Sequence, residues 1–200
     1  MKYFIDCEFI EGFHKPLFGK RRHFIDLISI GIVCEDGREY YAISKDYDYK
    51  KADSWVKNNV IRKLYTETVH GDARNYFNET NFHRVYGKPK KAILMSILHF
   101  MGCWRDQHFW RVGENVPEIY GYYADYDWVL FCSLFGRMID LPKGFPMYCI
   151  DLKQSFDEDY PEQTRERVKS SPDYPKQENE HNALEDARWN KRLYEFIQNL

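Results

Sequence analysis

Five side chains that can bind a metal ion or move a proton occur in three short, widely separated fragments of the sequence. Asp6 and Glu8 lie near the start, Asp127 lies in the middle, and His181 and Asp186 lie near the end. Four carboxylates brought together repel one another unless cations lie between them, and hard divalent ions prefer carboxylate oxygens as ligands. The fragments therefore predict a divalent-metal site. His181 is predicted to be a general base, because an imidazole can take up a proton near neutral pH.

Apolar periodicity predicts the strands and helices that would bring these residues together. An Asp36-Gly37 turn between two apolar runs predicts a hairpin. Side chains two apart on a strand share one face, so Asp6 and Glu8 would act from the same side. The predicted strands are 2–9, 24–33, 38–43, 118–123 and 147–150. The predicted helices are 52–65, 88–104, one that begins at a cap formed by Asp125, and 181–198.

The order of these elements predicts an α/β fold with a mixed five-stranded sheet flanked by helices. Asp127 is expected in the first turn of the helix after the fourth strand. Asn182 and Glu185 have the spacing of a capping box, which predicts His181 at the start of the last helix and Asp186 early in it. The polar, proline-containing stretch 153–180 is predicted to be an excursion with at most short helical turns.

The composition is typical of a soluble enzyme with a single domain over residues 1–200. Apolar residues make up 44% of the chain and aromatic residues 18%, which is enough for a core. The first residues form no signal peptide and no apolar run has membrane-spanning length, so a cytoplasmic location without a membrane partner is expected. The five cysteines lack metal-finger spacing and are expected to be reduced.

The net charge of −2 gives no bulk attraction to nucleic acid. Local features are more informative, because the basic runs 20–23, 88–91 and 165–169 could line a groove for a phosphodiester backbone. Aromatic rings close to the acidic fragments could stack on terminal bases. Phe9, beside Glu8, is the first candidate for such stacking, and Trp55, at a predicted helix start, is the second.

The three fragments and their flanks resemble a known set of motifs. Asp6-x-Glu8, Tyr126-Asp127 and His181-x-x-x-x-Asp186 are similar, in order and in their wide separations, to the motifs of the DEDDh 3′-to-5′ exonucleases, which have a ribonuclease H-like fold. The segments 3–10, 27–33, 35–42 and 181–187 resemble those of the small stand-alone mycobacterial-type exoribonucleases. The resemblance spans nearly the whole chain and is weakest across 66–114 and 153–180.

This resemblance implies a 3′-to-5′ exoribonuclease that hydrolyses phosphodiester bonds at RNA 3′ ends or overhangs and releases nucleoside 5′-monophosphates. Asp6, Glu8, Asp127 and Asp186 would hold two divalent ions, Mg²⁺ or Mn²⁺, and His181 would deprotonate the attacking water. Glu8 and His181 would also contact the substrate, together with the two stacking candidates. Because related exonucleases are often dimers, a homodimer is expected.

Several alternatives stay open at the level of the sequence. Asp125 is a rival to Asp127, although the pair Tyr126-Asp127 fits the family motif better. Many family members have Asn four residues before the second-motif aspartate, where this chain has Tyr123. The same chemistry on DNA is one alternative function. Discrimination between RNA and DNA depends on contacts to the 2′-hydroxyl, which a sequence does not display. A catalytically silent module that binds nucleic acid is the other.

Overall fold

The computed structural model describes residues 1–14 and 18–200, and its centre is a five-stranded sheet. The strands are β1 (Lys2–His14), β2 (Arg22–Cys34), β3 (Glu39–Ile43), β4 (Trp104–Arg105), β5 (Trp110–Arg111), β6 (Glu118–Gly121) and β7 (Ile150–Asp151). Five of these strands form the central sheet, in the order β3-β2-β1-β6-β7, while β4 and β5 pair with each other in a separate sheet. In the central sheet, β2 is antiparallel to both β1 and β3, and β6 and β7 run parallel to β1. The predicted α/β fold with a mixed five-stranded sheet is confirmed, and it is consistent with a ribonuclease H-like fold.

Helices cover both faces of this sheet. The α-helices are α1 (Ser54–Val56), α2 (Arg62–Thr68), α3 (His83–Tyr86), α4 (Lys90–Phe100), α5 (Asp125–Phe135), α6 (Leu152–Asp159), α7 (Glu162–Lys169) and α8 (Ala183–Ile197). A π-helical stretch, Lys57–Ile61, joins α1 to α2, so the two form one continuous helical segment. Within the described residues, no helix is long and apolar enough to cross a membrane.

Alternation along β1 directs its side chains into two different cores. Ile5 packs in a core that contains residues of α4 and α5, whereas Phe4 packs in a core that contains residues of α8. Successive side chains on a strand point to opposite faces of the sheet. Asp6 and Glu8 therefore share the face of Phe4, toward α8, as the two-residue spacing predicted.

The helix predicted over 88–104 is shorter than expected, because α4 ends at Phe100. Gly102 has a φ of +68° and donates its N–H to the carbonyl of His99, a left-handed helix end that glycine adopts without steric cost. Trp104 consequently lies in β4, which pairs with β5 in a two-stranded sheet that the periodicity did not predict.

The stretch 153–180 is more helical than predicted, because α6 and α7 contain eight residues each. Asp151 caps α6 by accepting hydrogen bonds from two N–H groups of its first turn. Pro161 occupies the N-cap of α7, a position that has no helical hydrogen bond to lose. The fully buried ring of Phe156 fixes α6 to the core beneath α8.

Two capping predictions need correction. Asp125 is the first residue of α5 and does not cap it, because Ala124 occupies the N-cap. Asn182 does cap α8, and its Oδ1 accepts the N–H of Glu185 at 3.4 Å. The carboxylate of Glu185, however, binds Arg188 at 2.5 Å, so its side chain does not close the predicted capping box.

Helix α8 approaches the sheet where β2 carries a glycine. A Cβ atom on Gly31 would lie 2.1 Å from the carbonyl oxygen of Ala183, so only a residue without a side chain permits this contact. Asn190 Nδ2 donates to the carbonyl oxygen of Ile5 at 2.9 Å and fixes α8 to β1. These contacts set the distance between Asp186, on α8, and the carboxylates of β1.

Gly31→Ala is expected to lower the free energy of unfolding by about 1–3 kcal/mol, because overpacking of a close contact forces the backbone to shift. Urea denaturation followed by circular dichroism measures the loss. Gly113→Ala is the control, since its added Cβ would meet only the carbonyl oxygen of Gly102, at 3.2 Å. Equal losses in the two variants would contradict the close approach of α8.

Candidate active site

Three carboxylates from the two ends of the chain meet between β1 and α8. Asp6 and Glu8 lie two residues apart on β1, and Asp186 lies in the first turn of α8. One carboxylate oxygen of each residue lies within 4.8 Å of the others. Within residues 1–14 and 18–200, no other set of three histidine, cysteine or acidic side chains has this spacing. A set of oxygen ligands this close is suited to a hard divalent cation.

Asp127 approaches β1 from the first turn of α5. It is buried, and its Oδ1 accepts a hydrogen bond of 2.6 Å from the backbone N–H of Cys7, the residue between Asp6 and Glu8. Asp127 is not part of the group of three, but this bond holds its carboxyl group against the same strand. Its rival Asp125 is exposed.

Burial raises the pKa of all four carboxyl groups, and repulsion by neighbouring carboxylates adds to the rise at Asp6, Glu8 and Asp127. Burial is the largest cause for Asp6, followed by the charges of the other three groups, and its pKa lies well above the usual range. Burial, followed by neighbouring carboxylates, raises the pKa of Glu8 to about 8. Burial also raises the pKa of Asp127 to about 7, against the hydrogen bond from Cys7, and raises that of Asp186. The site therefore retains protons near neutral pH when no cation neutralises it.

His181 lies in a left-handed segment just before α8. Asn179 and His181 have φ angles of 57° and 66°, which residues other than glycine rarely adopt. The backbone N–H of His181 donates to Asp186 Oδ2 at 2.8 Å, and Gln177 Nε2 donates to Asp186 Oδ1 at 2.7 Å. The imidazole packs edge-on against Trp55, with the ring centroids 4.9 Å apart. The segment is thus tied to one carboxylate of the cluster.

Helix α2 holds the same segment from outside the cluster. Glu67 accepts hydrogen bonds from Asn179 Nδ2 at 3.1 Å and from Asn182 Nδ2 at 2.8 Å, and Lys63 Nζ donates to the carbonyl oxygen of Glu180. The charge of Lys63 also opposes the rise in pKa of two cluster carboxylates. Sequence reasoning missed both residues of α2. No local pattern marks them, because these contacts join residues 112 to 117 positions apart.

A groove of about 460 Å³ opens beside the cluster and is lined by Glu8, Phe9, Phe13 and Trp55, among others. Both predicted stacking residues therefore line it, and Trp55 is 52% exposed. The guanidinium of Arg21 lies 4.7 Å from the centre of the Phe13 ring. The structure thus brings together a carboxylate, the two aromatic candidates and a member of the first basic run.

The other two basic runs and Tyr123 do not line this groove. Arg165 forms an ion pair of 3.0 Å with Asp157, and the Lys88 ammonium lies over an aromatic ring of β3. Tyr123 has a φ of 52° and is 65% exposed, with the ammonium of Lys153 5.8 Å from its ring centre. The tyrosine at the usual asparagine position therefore presents its ring to solvent.

Comparisons with known proteins show which family this chain resembles. Residues 1–198 match the family model described as the 3′-5′ exoribonuclease Rv2179c-like domain. Two curated proteins are each 30% identical over 199 residues, which cover 98% of this chain and 93% of theirs. They are 3′-5′ exoribonuclease Rv2179c of Mycobacterium tuberculosis strain ATCC 25618 / H37Rv and 3′-5′ exoribonuclease MT2234.1 of strain CDC 1551 / Oshkosh. The predicted similarity to stand-alone exoribonucleases is confirmed.

Asp6→Asn is expected to stabilise the metal-free protein at pH 8 by about 1–3 kcal/mol, because it removes one poorly compensated charge from the cluster. The raised pKa values mean that the folded protein binds more protons than the unfolded chain between about pH 4.5 and 8. The unfolding free energy of the wild type should therefore fall as the pH rises through this window, and the advantage of the variant should shrink toward pH 5. Chemical denaturation with a chelator present measures both effects.

Asp125→Asn is the matched control, since it neutralises an exposed aspartate outside the cluster, and its pH dependence should follow the wild type. Mg²⁺ or Mn²⁺ should raise the unfolding temperature of the wild type at pH 8 and leave that of Asp6→Asn nearly unchanged. A variant at Asp6 that is less stable than the wild type at pH 8 would contradict the repulsion argument.

Glu67→Ala is expected to speed amide hydrogen exchange across 177–182 by about tenfold, because it removes two hydrogen bonds to a charged acceptor. Exchange measured by mass spectrometry resolves this segment. Glu67→Gln retains one acceptor oxygen and should give an intermediate rate. Glu79→Ala removes a different carboxylate that binds α2, through Arg62, and should leave the segment unchanged. A uniform acceleration in both alanine variants would mean that Glu67 acts only on the stability of α2.

Proposed function

Because this chain belongs to the family of 3′-5′ exoribonuclease Rv2179c-like domains, which are hydrolytic nucleases, we propose that it shortens RNA from the 3′ end by the DEDDh reaction. Each cycle would hydrolyse the terminal phosphodiester bond and release a nucleoside 5′-monophosphate. The observation that carries the proposal is the meeting of Asp6, Glu8 and Asp186 within 4.8 Å. Family membership supports the substrate and the direction, and the carboxylate geometry supports the chemistry.

Asp6, Glu8, Asp127 and Asp186 are the residues that would hold two divalent ions, Mg²⁺ or Mn²⁺. The donor set fits such ions because it consists of carboxylate oxygens. Burial raises the pKa of all four groups, with added repulsion at Asp6, Glu8 and Asp127, and a bound cation would relieve this unfavourable energy. When bound, the ions would supply a more acidic water and stabilise charge on the phosphate and on the departing 3′ oxygen.

His181 would take the proton of the attacking water at a ring nitrogen. Its backbone is tied to Asp186 and its ring packs against Trp55, while the residue as a whole is only partly buried. This arrangement supports a base that is held beside the carboxylates and can still reach water. Glu67 and Lys63 would act as positioning residues, because their bonds go to the segment that carries His181.

The groove beside Glu8 would receive the terminal nucleotide. Phe9 and Trp55 would pack against its base, because stacking on aromatic rings tolerates any base. Arg21, which lies over the ring of Phe13, would contact a backbone phosphate. This assignment favours the first basic run, 20–23, as the start of the strand path.

Three further proposals concern the protein as a whole. We propose that residues 1–200 form one exonuclease domain, which is supported by a family match across residues 1–198. The homodimer is proposed from the resemblance to dimeric exonucleases, and sedimentation equilibrium would test it. A cytoplasmic location is proposed from the sequence alone, and fractionation of cells would test it.

Digestion of 5′-labelled RNA with Mg²⁺ or Mn²⁺ is expected to give a ladder that shortens from the 3′ end. Chelator should abolish it, and Asp6→Asn should lower kcat by about 10²–10³-fold or more, because metal ions stabilise charge that develops in the transition state. Asp127→Asn should behave like Asp6→Asn. Asp125→Asn should retain wild-type activity, because its carboxylate is exposed outside the cluster.

Matched DNA oligomers form the second arm of this experiment. Equal degradation of DNA and RNA would replace the exoribonuclease with an exonuclease that does not read the 2′-hydroxyl. Binding of RNA without cleavage by either metal would favour a catalytically silent binding module. Loss of activity in Asp125→Asn with retention in Asp127→Asn would reverse the assignment of the second motif.

A further inference from the structure

A second cavity, of about 550 Å³, lies beyond the end of β3 and is separate from the groove beside Glu8. Its walls are formed by residues of the loop 45–50 and of the segment 80–84 that enters α3. We call it the Tyr47–His83 pocket, after the two buried rings that line it. Neither the catalytic proposal nor the family resemblance uses these residues.

The two rings carry polar atoms that the protein leaves unpartnered. Tyr47 and His83 stack with their centroids 4.1 Å apart, and they are only 4% and 3% exposed. The Tyr47 hydroxyl and His83 Nδ1 have no hydrogen-bond partner in the part of the chain that the structure describes. Burial, followed by the nearby charge of Arg84, lowers the pKa of His83 against the opposing charge of Asp48, which favours the neutral imidazole. A buried polar atom without a partner costs about 1–3 kcal/mol, which a bound polar ligand could recover.

The rim of the pocket is basic. Lys45, Lys50 and Arg84 are exposed, and none of them forms an ion pair within residues 1–14 and 18–200. Asp48 also lines the pocket, where its carboxylate accepts the N–H of Lys50, so three cations face one carboxylate there. Asp46 accepts the N–H that begins α4 and does not line the pocket. Three unpaired cations on the rim of a pocket that also contains aromatic rings suit a ligand that combines a phosphate with a base.

The pocket and the groove are close along both the sheet and the chain. Glu8 of β1 and Ile43 of β3 are both paired with Ser29 of β2, so about 10 Å separates them across two strand spacings. The pocket begins just after Ile43. One short segment also links the two sites, because Tyr49 lines the pocket and Trp55 lines the groove. A few nucleotides of extended single-stranded RNA would span this distance.

We propose that the Tyr47–His83 pocket binds an internal nucleotide of the RNA strand whose 3′ end lies at the carboxylate cluster, with Lys45 and Arg84 contacting its phosphate. The Tyr47 hydroxyl and His83 Nδ1 have almost no accessible surface in the structure, so the two rings would shift to pair these atoms with polar atoms of the same nucleotide. This inference rests on the proposed exoribonuclease function and deepens it. The pocket would let the enzyme hold a long strand more tightly than a dinucleotide.

The test measures binding and turnover of a long single-stranded RNA and of a dinucleotide by Lys45→Gln/Arg84→Gln. Binding is measured by fluorescence anisotropy with chelator, so that no cleavage occurs. The variant should bind the long RNA about tenfold more weakly, as expected for loss of a charge-assisted contact. The slope of log affinity against log salt should decrease in magnitude by about 0.7 per lost phosphate contact. Binding and turnover of the dinucleotide should not change.

Arg105→Gln/Lys143→Gln is the matched control, because it removes two exposed, unpaired cations that line neither the pocket nor the groove. An equal loss in both double variants would show only general electrostatic attraction and would overturn the proposal. Unchanged binding of long RNA would overturn it as well. The proposal would also be overturned if Lys45→Gln/Arg84→Gln lost affinity for free AMP by the same factor as for long RNA. The occupant of the pocket would then be a mononucleotide rather than part of the RNA strand.

Crosslinking gives a second readout that does not depend on the substitutions. RNA with a photoreactive uridine a few nucleotides from the 3′ end should crosslink to peptides from 45–50 or 80–84, and an exclusive crosslink elsewhere would overturn the proposal. Cleavage of RNA with either metal tests the proposed function separately. If no RNA is cut while the length-dependent binding difference persists, the catalytic assignment fails and the pocket assignment stands.

Discussion

Repulsion among carboxylates that the fold forces together is the constraint on which the rest of the structure depends. Asp6 and Glu8 share one face of β1, Asp186 meets them from α8, and Asp127 is held against the same strand by the N–H of Cys7. Hydrogen bonds to Asp127 and Asp186 and the nearby charge of Lys63 only partly compensate the burial and mutual repulsion of these groups, and the pKa of each group stays raised. The protein thus holds a site whose energy favours divalent cations.

The packing of α8 shows how the fold imposes this arrangement. The absence of a side chain at Gly31 admits the first turn of the helix, and the bond from Asn190 to Ile5 fixes its direction over β1. Both contacts join residues from opposite ends of the chain. The carboxylates can therefore meet only when the last helix has docked on the central strand, so assembly of the site and completion of the core are one event.

The sequence predicted the parts of this structure that depend on local periodicity. The hairpin of β2 and β3 and the shared face of Asp6 and Glu8 follow from alternation and from an Asp-Gly turn, and both are present. The helices within 153–180 were missed because Pro161 suggested a break, whereas it occupies an N-cap. No sequence pattern predicts the hydrogen bonds of Glu67 to the segment that carries His181, because they join residues that are distant along the chain.

The carboxylates and His181 are held in place in two different ways, with different physical consequences. The four carboxylates lie on β1, α5 and α8, elements packed into the buried cores, so their positions follow the stability of the whole fold. His181 instead lies in a left-handed segment held by side-chain bonds from two residues of α2, the exposed Glu67 and the partly buried Lys63. Such bonds open at lower free energy than the core does. Changes on the surface of α2 can therefore alter the placement of the His181 imidazole without dismantling the carboxylate cluster, so the two parts of the site are under separate structural control.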